Sequence, residues 1–572
     1  MAGSVSIVNF TDRFTPHIKQ KFWTIYAPVV LIVAFWWFRA LYGFNPSDDG
    51  FILSQSWRII HGEIPHVDFT SPRPLGSAYL HAPFALLPFA MLALSRLFVV
   101  FQFFWIAKMT VSLVRANGKE QKSWLQFVAI SCVFVLNIGT WPIMAWHTVD
   151  GIFLGMTALA FSKRNIERSR QDLTVWILPF LCAGYAPLVK QNFLIVPMIV
   201  FSIVVFFGKR KVIAWTPLMG FPVLVYLVIA ANTPGGILEQ LYSGSKKELI
   251  SPFEVVIEIL GKNRFWNSYS QIVFALLIVS VFVKRFPKAT KWLALTIIFC
   301  AFIEARSQDF SMFGTWPYYF ALVLLALTLM FCRDLFSFCL SMSVLVIGYF
   351  ASLSFGVTNP GLLGGTFLFL ALHHVMNSGS DVAPNTKYIF SIQQKLIAIG
   401  TLALIFVSTT IARDRTTYLG PSRELLNASV EYPQFKFVKM SAASAAYVNS
   451  VGRCLAKYPA NKVAVLPDGP GLYPFFGLQN PFDSDWWFGA ERVPDKSARD
   501  LETVDELNGS SSWLVLVQSY FVFELATMKV EDVSKISNPF FHDVRDLQIL
   551  NALQGEDVLC DSFTGKYRPR GS

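Results

Sequence analysis

The sequence predicts a polytopic α-helical membrane protein with a small α/β domain at its C-terminal end. Of its 572 residues, 54% are apolar and only 15% are charged, and the mean hydropathy is +0.47. A soluble globular chain has about a quarter of charged residues, so this composition excludes an ordinary soluble enzyme and also a disordered chain. Apolar segments recur over the first 412 residues, whereas the rest of the chain is polar.

Each membrane span needs roughly 20 mostly apolar residues. Thirteen segments are candidates, and we place the transmembrane domain at residues 1–412. The candidate spans lie at about 23–43, 97–114, 124–141, 149–162, 173–188, 192–208, 212–231, 268–283, 292–305, 316–331, 335–354, 361–376 and 393–411.

The run Leu75–Leu94 is also apolar, and its placement decides the orientation of everything that follows. If this run does not cross the membrane, nearly all Lys and Arg clusters between spans fall on the same side as the N-terminus, as the positive-inside rule requires. We therefore expect 75–94 to be a helix that lies along the outer interface or dips into it. Thirteen spans then place the N-terminus in the cytoplasm and the C-terminal residues outside.

The tail, residues 413–572, is predicted to be a small extracytoplasmic α/β domain. Ala442–Tyr458 is typical of a helix, and the short apolar runs Lys462–Leu466 and Trp513–Val517 are typical of buried strands. The Gly- and Pro-rich stretch Pro467–Pro481 between them predicts loops.

Two of the seven cysteines, Cys454 and Cys560, lie in this tail. In an oxidising compartment they are candidates for a disulfide, and two buried thiols are the alternative. No Cys or His spacing in the chain is typical of a metal site.

Two adjacent acids, Asp48 and Asp49, directly follow the first span. Paired carboxylates can hold different protonation states, with one of them poised as a base. The alternative is an outer loop that is acidic only because acids are tolerated at that surface. The residues alone leave both interpretations open.

The first outer loop, residues 44–96, contains the pattern P-x-D-D-G, then G-x-x-P-x-x-D-F, then P-x-P-L-x-x-x-Y-L. This pattern resembles the first outer loop of the GT-C glycosyltransferases, which include protein O-mannosyltransferases, aminoarabinose transferases and proteins like glycosyltransferase family 39. With the thirteen-span layout and the tail pattern from Val463 to Pro481, the resemblance covers most of the chain. It implies two juxtamembrane helices in the loop and an enzyme that takes a sugar from a polyprenyl-phosphate carrier.

The resemblance assigns roles to residues of the loop. Asp48 matches the acid that deprotonates the acceptor, and Asp49 is expected to orient the acceptor or to share a metal. Arg73 matches a cation that holds the donor phosphate, because a guanidinium can bind two phosphate oxygens. The alternative for Arg73 is anchoring to lipid headgroups. His66 stands where Tyr is frequent and is a candidate for substrate binding.

Further candidates lie between later spans. Lys190 is expected to bind the donor phosphate, since a lone Lys at this depth faces a cavity or an anion by default. Asp150 occupies the place of a second family acid, with a helix N-cap as the alternative. The remaining candidates for substrate binding are His147, Gln191, Glu304 and Arg306. The long loop 233–267 is expected to contain an amphipathic helix, Pro252–Leu260, that acts as a lid or rests on the membrane.

The predicted function is a glycosyltransferase, hexosyl or pentosyl, that moves a sugar from a polyprenyl-phosphate donor to a lipid, glycan or protein acceptor on the outer membrane face. The alternatives are a ligase or polymerase of polyprenyl-linked glycans and a non-enzymatic transporter. No cofactor is certain, although Asp48, Asp49 and Asp150 are candidates for a divalent metal site. Membrane lipids are expected partners and nucleic acid is not, because the basic residues follow membrane topology. The expected location is a bacterial inner membrane, with the tail in the periplasm.

Overall fold

The computed structural model describes residues 20–114, 123–139, 143–230, 237–238, 240–241, 334–352, 363–377, 423–487, 497–510, 512–526, 528–533 and 544–570, with short runs between 321 and 332 and residue 535. Within these residues three helices are long and apolar enough to cross a membrane, namely Phe22–Ala40, Met91–Val114 and Arg210–Ala230. Shorter apolar helices accompany them. The chain is therefore a helical membrane protein, as its composition predicts.

The structure describes the following helices in the first 377 residues. Their bounds are α1 Phe22–Ala40, α2 Asp48–Ile60, α3 Gly76–Ala85, α4 Met91–Val114, α5 Ser123–Ile138, α6 His147–Glu167, α7 Leu173–Val189, α8 Ile195–Phe207, α9 Arg210–Ala230, α10 Leu335–Ser352 and α11 Gly364–Asn377. A 3₁₀ turn, Gln191–Leu194, precedes α8, and α9 contains a 3₁₀ turn at Thr216–Gly220. The expected spans at 268–283, 292–305 and 393–411, the predicted helix Pro252–Leu260 and most of 316–331 lie outside the described residues.

The apolar run 75–94 differs from the expectation of one interfacial helix. Its helical part ends at Ala85, and after a break with Ala90 at φ 52° a new helix, α4, begins at Met91. Pro88 in the break has no N–H to donate and disfavours a helical residue before it, so the two helices are separate. The span expected from residue 97 therefore begins six residues earlier, and the first loop contains two helices, α2 and α3, as the family resemblance implies.

The apolar core of the helical part joins α4, α5, α6 and α7. Val99, Phe103, Phe134 and Trp176 are among its fully buried side chains. In a membrane such contacts stabilise through close packing, because lipid tails are as apolar as the side chains. Gly184 shows this: a Cβ at its position would stand 1.9 Å from the Met219 carbonyl oxygen, so α7 and α9 touch along their backbones.

The tail contains a four-stranded sheet flanked by helices. Its elements are α12 Ala442–Lys457, β1 Lys462–Leu466, α13 Leu472–Phe476, α14 Ser497–Gly509, β2 Trp513–Gln518, α15 Val530–Val533, α16 Val544–Ala552, β3 Glu556–Cys560 and β4 Phe563–Arg568. The sheet order is β1-β2-β4-β3, with β1 and β2 parallel and the other pairs antiparallel. The predicted helix and both predicted strands are confirmed within one or two residues.

The two parallel strands, β1 and β2, are mostly apolar because both faces of the sheet are covered there. Val463 and Leu514 lie in one apolar cluster, whereas Ala464 and Val515 lie in another on the opposite face. A strand covered on both faces reads as a continuous apolar run rather than an alternating one. Cys454 and Cys560 form a disulfide that ties α12 to the end of β3, so the disulfide alternative is confirmed over two thiols.

The tail is hydrogen-bonded to the first outer loop. The Lys439 amide donates to the Leu41 carbonyl at 2.7 Å, and the Gly43 amide donates back to the Lys439 carbonyl at 2.8 Å. Further along, the Trp57 indole donates to the Leu478 carbonyl at 2.9 Å. These bonds attach the tail to α2 and to the segment before it. The helix α2 begins with the two predicted catalytic acids.

Candidate active site

The local sequence places Asp48 in the first turn of α2. The Asn45 side-chain oxygen accepts hydrogen bonds from the Ser47 amide at 2.9 Å and from the Asp48 amide at 3.3 Å. An Asn before a helix stabilises its start in this way, because the first amides have no partner inside the helix. Asp48 itself is buried, at 4% exposure. The acid predicted to act as the base therefore sits on a fixed helix end.

Asp49, the second acid of the pair, forms an ion pair with a cation. The Arg96 guanidinium of α4 lies 2.9 Å from both Asp49 carboxylate oxygens, and it also donates to the Ala40 and Gly43 carbonyls. The Asn45 amide donates to Asp49 at 2.9 Å. With its oxygens engaged by these groups, Asp49 holds α1, α2 and α4 together. Its predicted contact with the acceptor or a metal has no support in this geometry.

The aromatic ring of Phe51 connects several candidates. Phe51 lies one turn after Asp48, on the same side of α2. The Arg73 guanidinium lies 5.8 Å from the centre of the Phe51 ring, a cation–π distance. The Trp146 and Trp486 rings lie 5.9 Å and 5.1 Å from the same ring. Phe51 therefore contacts three parts of the molecule on the Asp48 side of α2. They are Arg73 of the first loop, the start of α6 and the tail.

Two cations, Arg73 and Lys190, lie near His147. His147 is the first residue of α6 and is 1% exposed, and neither of its ring nitrogens has a hydrogen-bond partner among the described residues. Arg73 and Lys190 both lie close enough to act electrostatically on the imidazole. The structure thus brings together three residues that are separated in sequence and that were each predicted to bind the substrate.

Lys190 owes its position to a break between two helices. Its backbone is extended, with φ −164° and ψ 138°, between the end of α7 and the turn Gln191–Leu194. The Gln191 side chain donates to the Pro72 carbonyl at 2.7 Å, which ties this turn to the segment that contains Arg73. Gln191, predicted to bind substrate, therefore holds the two cations near each other.

Asp150 is buried in the first turn of α6 and is not the N-cap, which is Trp146, so the N-cap alternative is wrong. One carboxylate oxygen accepts from the Gln102 amide at 2.6 Å and lies 3.1 Å from His81 Nε2. Its other oxygen has no hydrogen-bond partner among the described residues. Asp150 remains a candidate, with His81 and Gln102 as partners that its sequence position did not indicate.

His66 is part of a structural network. Its Nδ1 lies 2.9 Å from the Gln240 side-chain oxygen, and its Nε2 lies 2.7 Å from the Tyr226 hydroxyl. Burial lowers the pKa of His66, while the hydrogen bond with Gln240 opposes the shift, so the ring is neutral at physiological pH. Both nitrogens are engaged, which gives His66 the role of fixing the loop before Arg73 rather than of binding substrate directly.

At the other end of α2, Arg58 binds the tail. Its guanidinium lies 2.8 Å from Asp485 and 2.6 Å from Glu63, and it donates to the Phe482 carbonyl at 2.5 Å. Burial alone would lower the pKa of Arg58, but the two carboxylates raise it above its ordinary value. This ion-pair network fixes the tail segment that contains Trp486.

A small cleft opens between the first loop and the tail. Aromatic rings and polar groups line it together, and its lining residues are Phe51, Gln55, Phe69, Thr70, Ser71, Pro72, Ser484, Asp485 and Trp486. The cleft has room for about one water molecule, so it does not enclose a ligand.

The predicted metal site is not formed by the residues that the structure describes. Asp48, Asp49 and Asp150 do not come together, and the described Cys, His, Asp and Glu side chains close enough to share an ion are Cys454, Cys560 and Asp561, two of which form the disulfide. The candidates Glu304 and Arg306 lie outside the described residues.

The sequence alone did not identify several residues of the candidate site. Phe51 and Trp486 are aromatic residues in a chain rich in them, and Arg96 stands in an apolar run without a local signal. Asp468 carried one signal, since it follows the strand β1 inside the tail pattern of the family resemblance, but its partner Ser47 is distant in sequence.

No family model matches the sequence, and the search of curated proteins returned no significant match. Among solved structures, ArnT from Cupriavidus metallidurans in the apo state aligns at 13% identity over 86% of this chain and 93% of ArnT, with a TM-score of 0.39. The oligosaccharyltransferase of Archaeoglobus fulgidus in the apo form aligns at 12% identity over 87% of this chain and 70% of the enzyme, with a TM-score of 0.43.

The arabinosyltransferase EmbB from Mycobacterium smegmatis aligns at 13% identity over 72% of this chain and 43% of EmbB, with a TM-score of 0.32. These neighbours are glycosyltransferases of the GT-C superfamily, the one that the first outer loop resembles. All three TM-scores are below 0.5, so these alignments carry no argument for function. The function proposed next is argued from the contacts within this chain.

Proposed function

We propose that this protein is a GT-C-type glycosyltransferase that transfers a sugar from a polyprenyl-phosphate donor to an acceptor at the outer face of the membrane. The observation that carries the proposal is that a buried acid and a cation lie on either side of one aromatic ring. Asp48 stands at the start of α2, and Phe51, one turn later, contacts Arg73, which with Lys190 lies near His147. One acid and two cations are what transfer from a phosphate leaving group requires.

The acid supplies the base. An acceptor hydroxyl is a poor nucleophile at neutral pH, and a positioned carboxylate that takes its proton contributes about 10²–10⁴-fold to the rate. In the proposed step the Asp48 carboxylate accepts this proton while the acceptor oxygen bonds to the sugar's anomeric carbon. The bond from that carbon to the phosphate oxygen breaks, and its electron pair leaves with the prenyl phosphate.

The cations receive the leaving group. Negative charge grows on the phosphate as the sugar departs, so groups that bind this charge lower the barrier. A guanidinium can hold two phosphate oxygens in its planar fork, and the Lys190 ammonium adds a second positive charge. The imidazole nitrogens of His147, which have no hydrogen-bond partner among the described residues, can donate to or accept from the phosphate or a sugar hydroxyl.

Asp49, His66 and Gln191 serve as supports, because each is bound to a backbone or side-chain group that fixes α2 or the Arg73 segment. The proposal keeps the layout that the sequence predicts, with thirteen spans, residues 1–412 as the catalytic domain and residues 413–572 in the periplasm of a bacterium.

The proposal is tested by incubating the purified protein with a panel of prenyl-phosphate sugars and measuring release of prenyl phosphate. Wild type is expected to release it from at least one donor. Arg73→Ala is expected to raise the donor KM and to lower kcat, because the bound charge grows in the transition state. Arg73→Lys is expected to recover only part of both, since it keeps the charge and loses the fork.

Arg453→Ala is the matched control, since Arg453 is an exposed tail cation paired with Asp561, and it should match wild type. If Arg73→Lys restores full kinetics, the residue is a headgroup anchor. Release of prenyl diphosphate from diphosphate-linked donors would favour the ligase or polymerase alternative. Movement of an intact lipid-linked sugar across liposomes without release would favour the transporter.

A further inference from the structure

The tail places a third acid, Asp468, beside the proposed base. Asp468 follows β1 and has no exposed surface. The Ser47 hydroxyl donates a short hydrogen bond to its Oδ1, and Ser47 is the residue immediately before Asp48. The two carboxyl groups are close enough for the charge of Asp48 to act on Asp468.

The segment that contains Asp468 is tightly seated on the turn before α2. The Gly471 amide donates to the Pro46 carbonyl at 2.9 Å. A Cβ at Gly50 would stand 1.8 Å from the Gly471 Cα, so the two backbones meet with no room for a side chain. This contact sets the position of residues 46–50 from the tail side, whereas Arg96 sets it through Asp49 from the membrane side.

Asp468 differs from the other buried acids at this interface. Asp49 is paired with Arg96, and Asp485 is paired with Arg58. Among the residues that the structure describes, no Lys or Arg forms an ion pair with Asp468. Burying an unpaired charge costs free energy. If Asp468 only joined two segments, an amide, or a carboxylate beside a cation, would do so at a lower free-energy cost. A buried acid that has no cation partner and stands next to another acid is a candidate for a functional role.

We propose that Asp468 is a positioning residue for the glycosyl transfer: through Ser47 it fixes the first turn of α2 and aims the Asp48 carboxylate at the acceptor, so that the tail completes the active site. This inference rests on the proposed function. Burial raises the pKa of Asp468 to about 7, and the Asp48 charge adds to the rise, while the hydrogen bond from Ser47 opposes it. In its protonated form Asp468 still accepts the Ser47 bond and leaves the negative charge on Asp48.

The kinetic test compares Asp468→Asn with Asp468→Ala in the full-length protein. The Asn side chain is neutral and still accepts the Ser47 bond, so we expect kcat within about threefold of wild type, within the scatter of one weakened hydrogen bond. The Ala variant is expected to lose about 10- to 100-fold in kcat with an unchanged donor KM, because a base misplaced by about 1 Å loses that much. Asp557→Ala, an exposed tail acid, is the control.

A second measurement does not depend on turnover. Hydrogen exchange of the peptide that covers residues 45–52 should rise in Asp468→Ala and stay at the wild-type rate in Asp468→Asn, while exchange near Arg58 stays unchanged in both. If wild type releases no prenyl phosphate, the proposed function fails, and the exchange result still decides whether Asp468 holds this turn. Unchanged exchange in Asp468→Ala, or a kcat that matches wild type, would overturn the inference. Equal losses in the Ala and Asn variants would overturn it too.

Discussion

The two ends of α2 contact the same tail, and each does so with a buried tail acid, but the partners have opposite charge. At the C-terminal end Asp485 meets the Arg58 guanidinium at 2.8 Å, and Glu63 completes the ion pair. At the N-terminal end Asp468 meets Ser47 and the neighbouring Asp48. The first arrangement neutralises its charges and fixes two segments. The second keeps two acids together in a buried place, which a purely structural contact would avoid.

This difference indicates that the C-terminal end of α2 contributes to stability and its N-terminal end to catalysis. A buried ion pair holds its parts together strongly only while both partners are present. Two neighbouring carboxyls instead push their protonation states apart, which is how sites prepare one acid as a base. We therefore expect changes at Arg58 and Asp485 to affect unfolding, and changes at Asp48 and Asp468 to affect turnover.

The largest effect on stability is expected from Arg58→Met. The substitution leaves Asp485 buried with Asn480 as its remaining side-chain partner, and removing one member of a buried pair lowers the free energy of unfolding by about 3–5 kcal/mol. Thermal unfolding in detergent, followed by tryptophan fluorescence, measures the loss. Arg453→Met, which breaks the exposed pair with Asp561, is the control and should change it by less than about 1 kcal/mol. Equal effects of the two substitutions would contradict the distinction.

The pH dependence of stability tests the other end of the helix. The pKa of Asp468 is raised to about 7 in the folded protein, above the ordinary value of 3.8. Between these values the folded state binds more protons than the unfolded state, so stability is highest at low pH and falls as pH rises toward 7. The loss is at most about 4 kcal/mol, at 1.36 kcal/mol for each pKa unit.

The measurement is the apparent Tm from pH 4 to 8 for wild type and Asp468→Asn. The Asn variant cannot ionise at this position, so its Tm should fall less over the same range. Parallel curves for the two proteins would show that Asp468 does not carry a raised pKa.

The disulfide is expected to give a somewhat smaller effect. Cys454 and Cys560 are separated by 106 residues, and a crosslink that closes a long loop stabilises by about 2–4 kcal/mol, mainly by restricting the unfolded chain. Cys454→Ser should lower the tail's stability by this amount, and reductant should have no further effect on that variant. Two alkylated thiols at these positions in an unreduced, denatured sample would contradict the bond.

Parts of the site could be predicted from the sequence because their signals are local. The Asp48–Asp49 pair after a span, the cation Arg73 between prolines and the apolar strand runs are all readable in a short window. The structure places Arg73 and Lys190 near His147, and their roles in binding stay predictions. The break at Ala90 was missed because the apolar run continues through it, and composition alone does not show where one helix ends.

Other parts depend on pairings that a sequence does not display. Asp49 was expected to touch the acceptor, yet Arg96, a lone cation in an apolar helix, occupies it. His66 was expected to bind substrate, yet Tyr226 and Gln240 use both of its nitrogens. Each of these partners is distant in sequence, so only the packing of the helices could reveal which polar residues are already satisfied.

The central claim is that the start of α2 performs the chemistry while its end holds the tail. The most direct test compares Asp48→Asn with Asp485→Asn, measuring both prenyl-phosphate release and apparent Tm on the same preparations. We predict that Asp48→Asn loses about 10²–10⁴-fold in kcat with a Tm that is unchanged or slightly higher, because a buried negative charge is removed. Asp485→Asn should lower the Tm and keep kcat within a few-fold of wild type below its unfolding temperature. Turnover of Asp48→Asn within a few-fold of an active wild type would contradict the account.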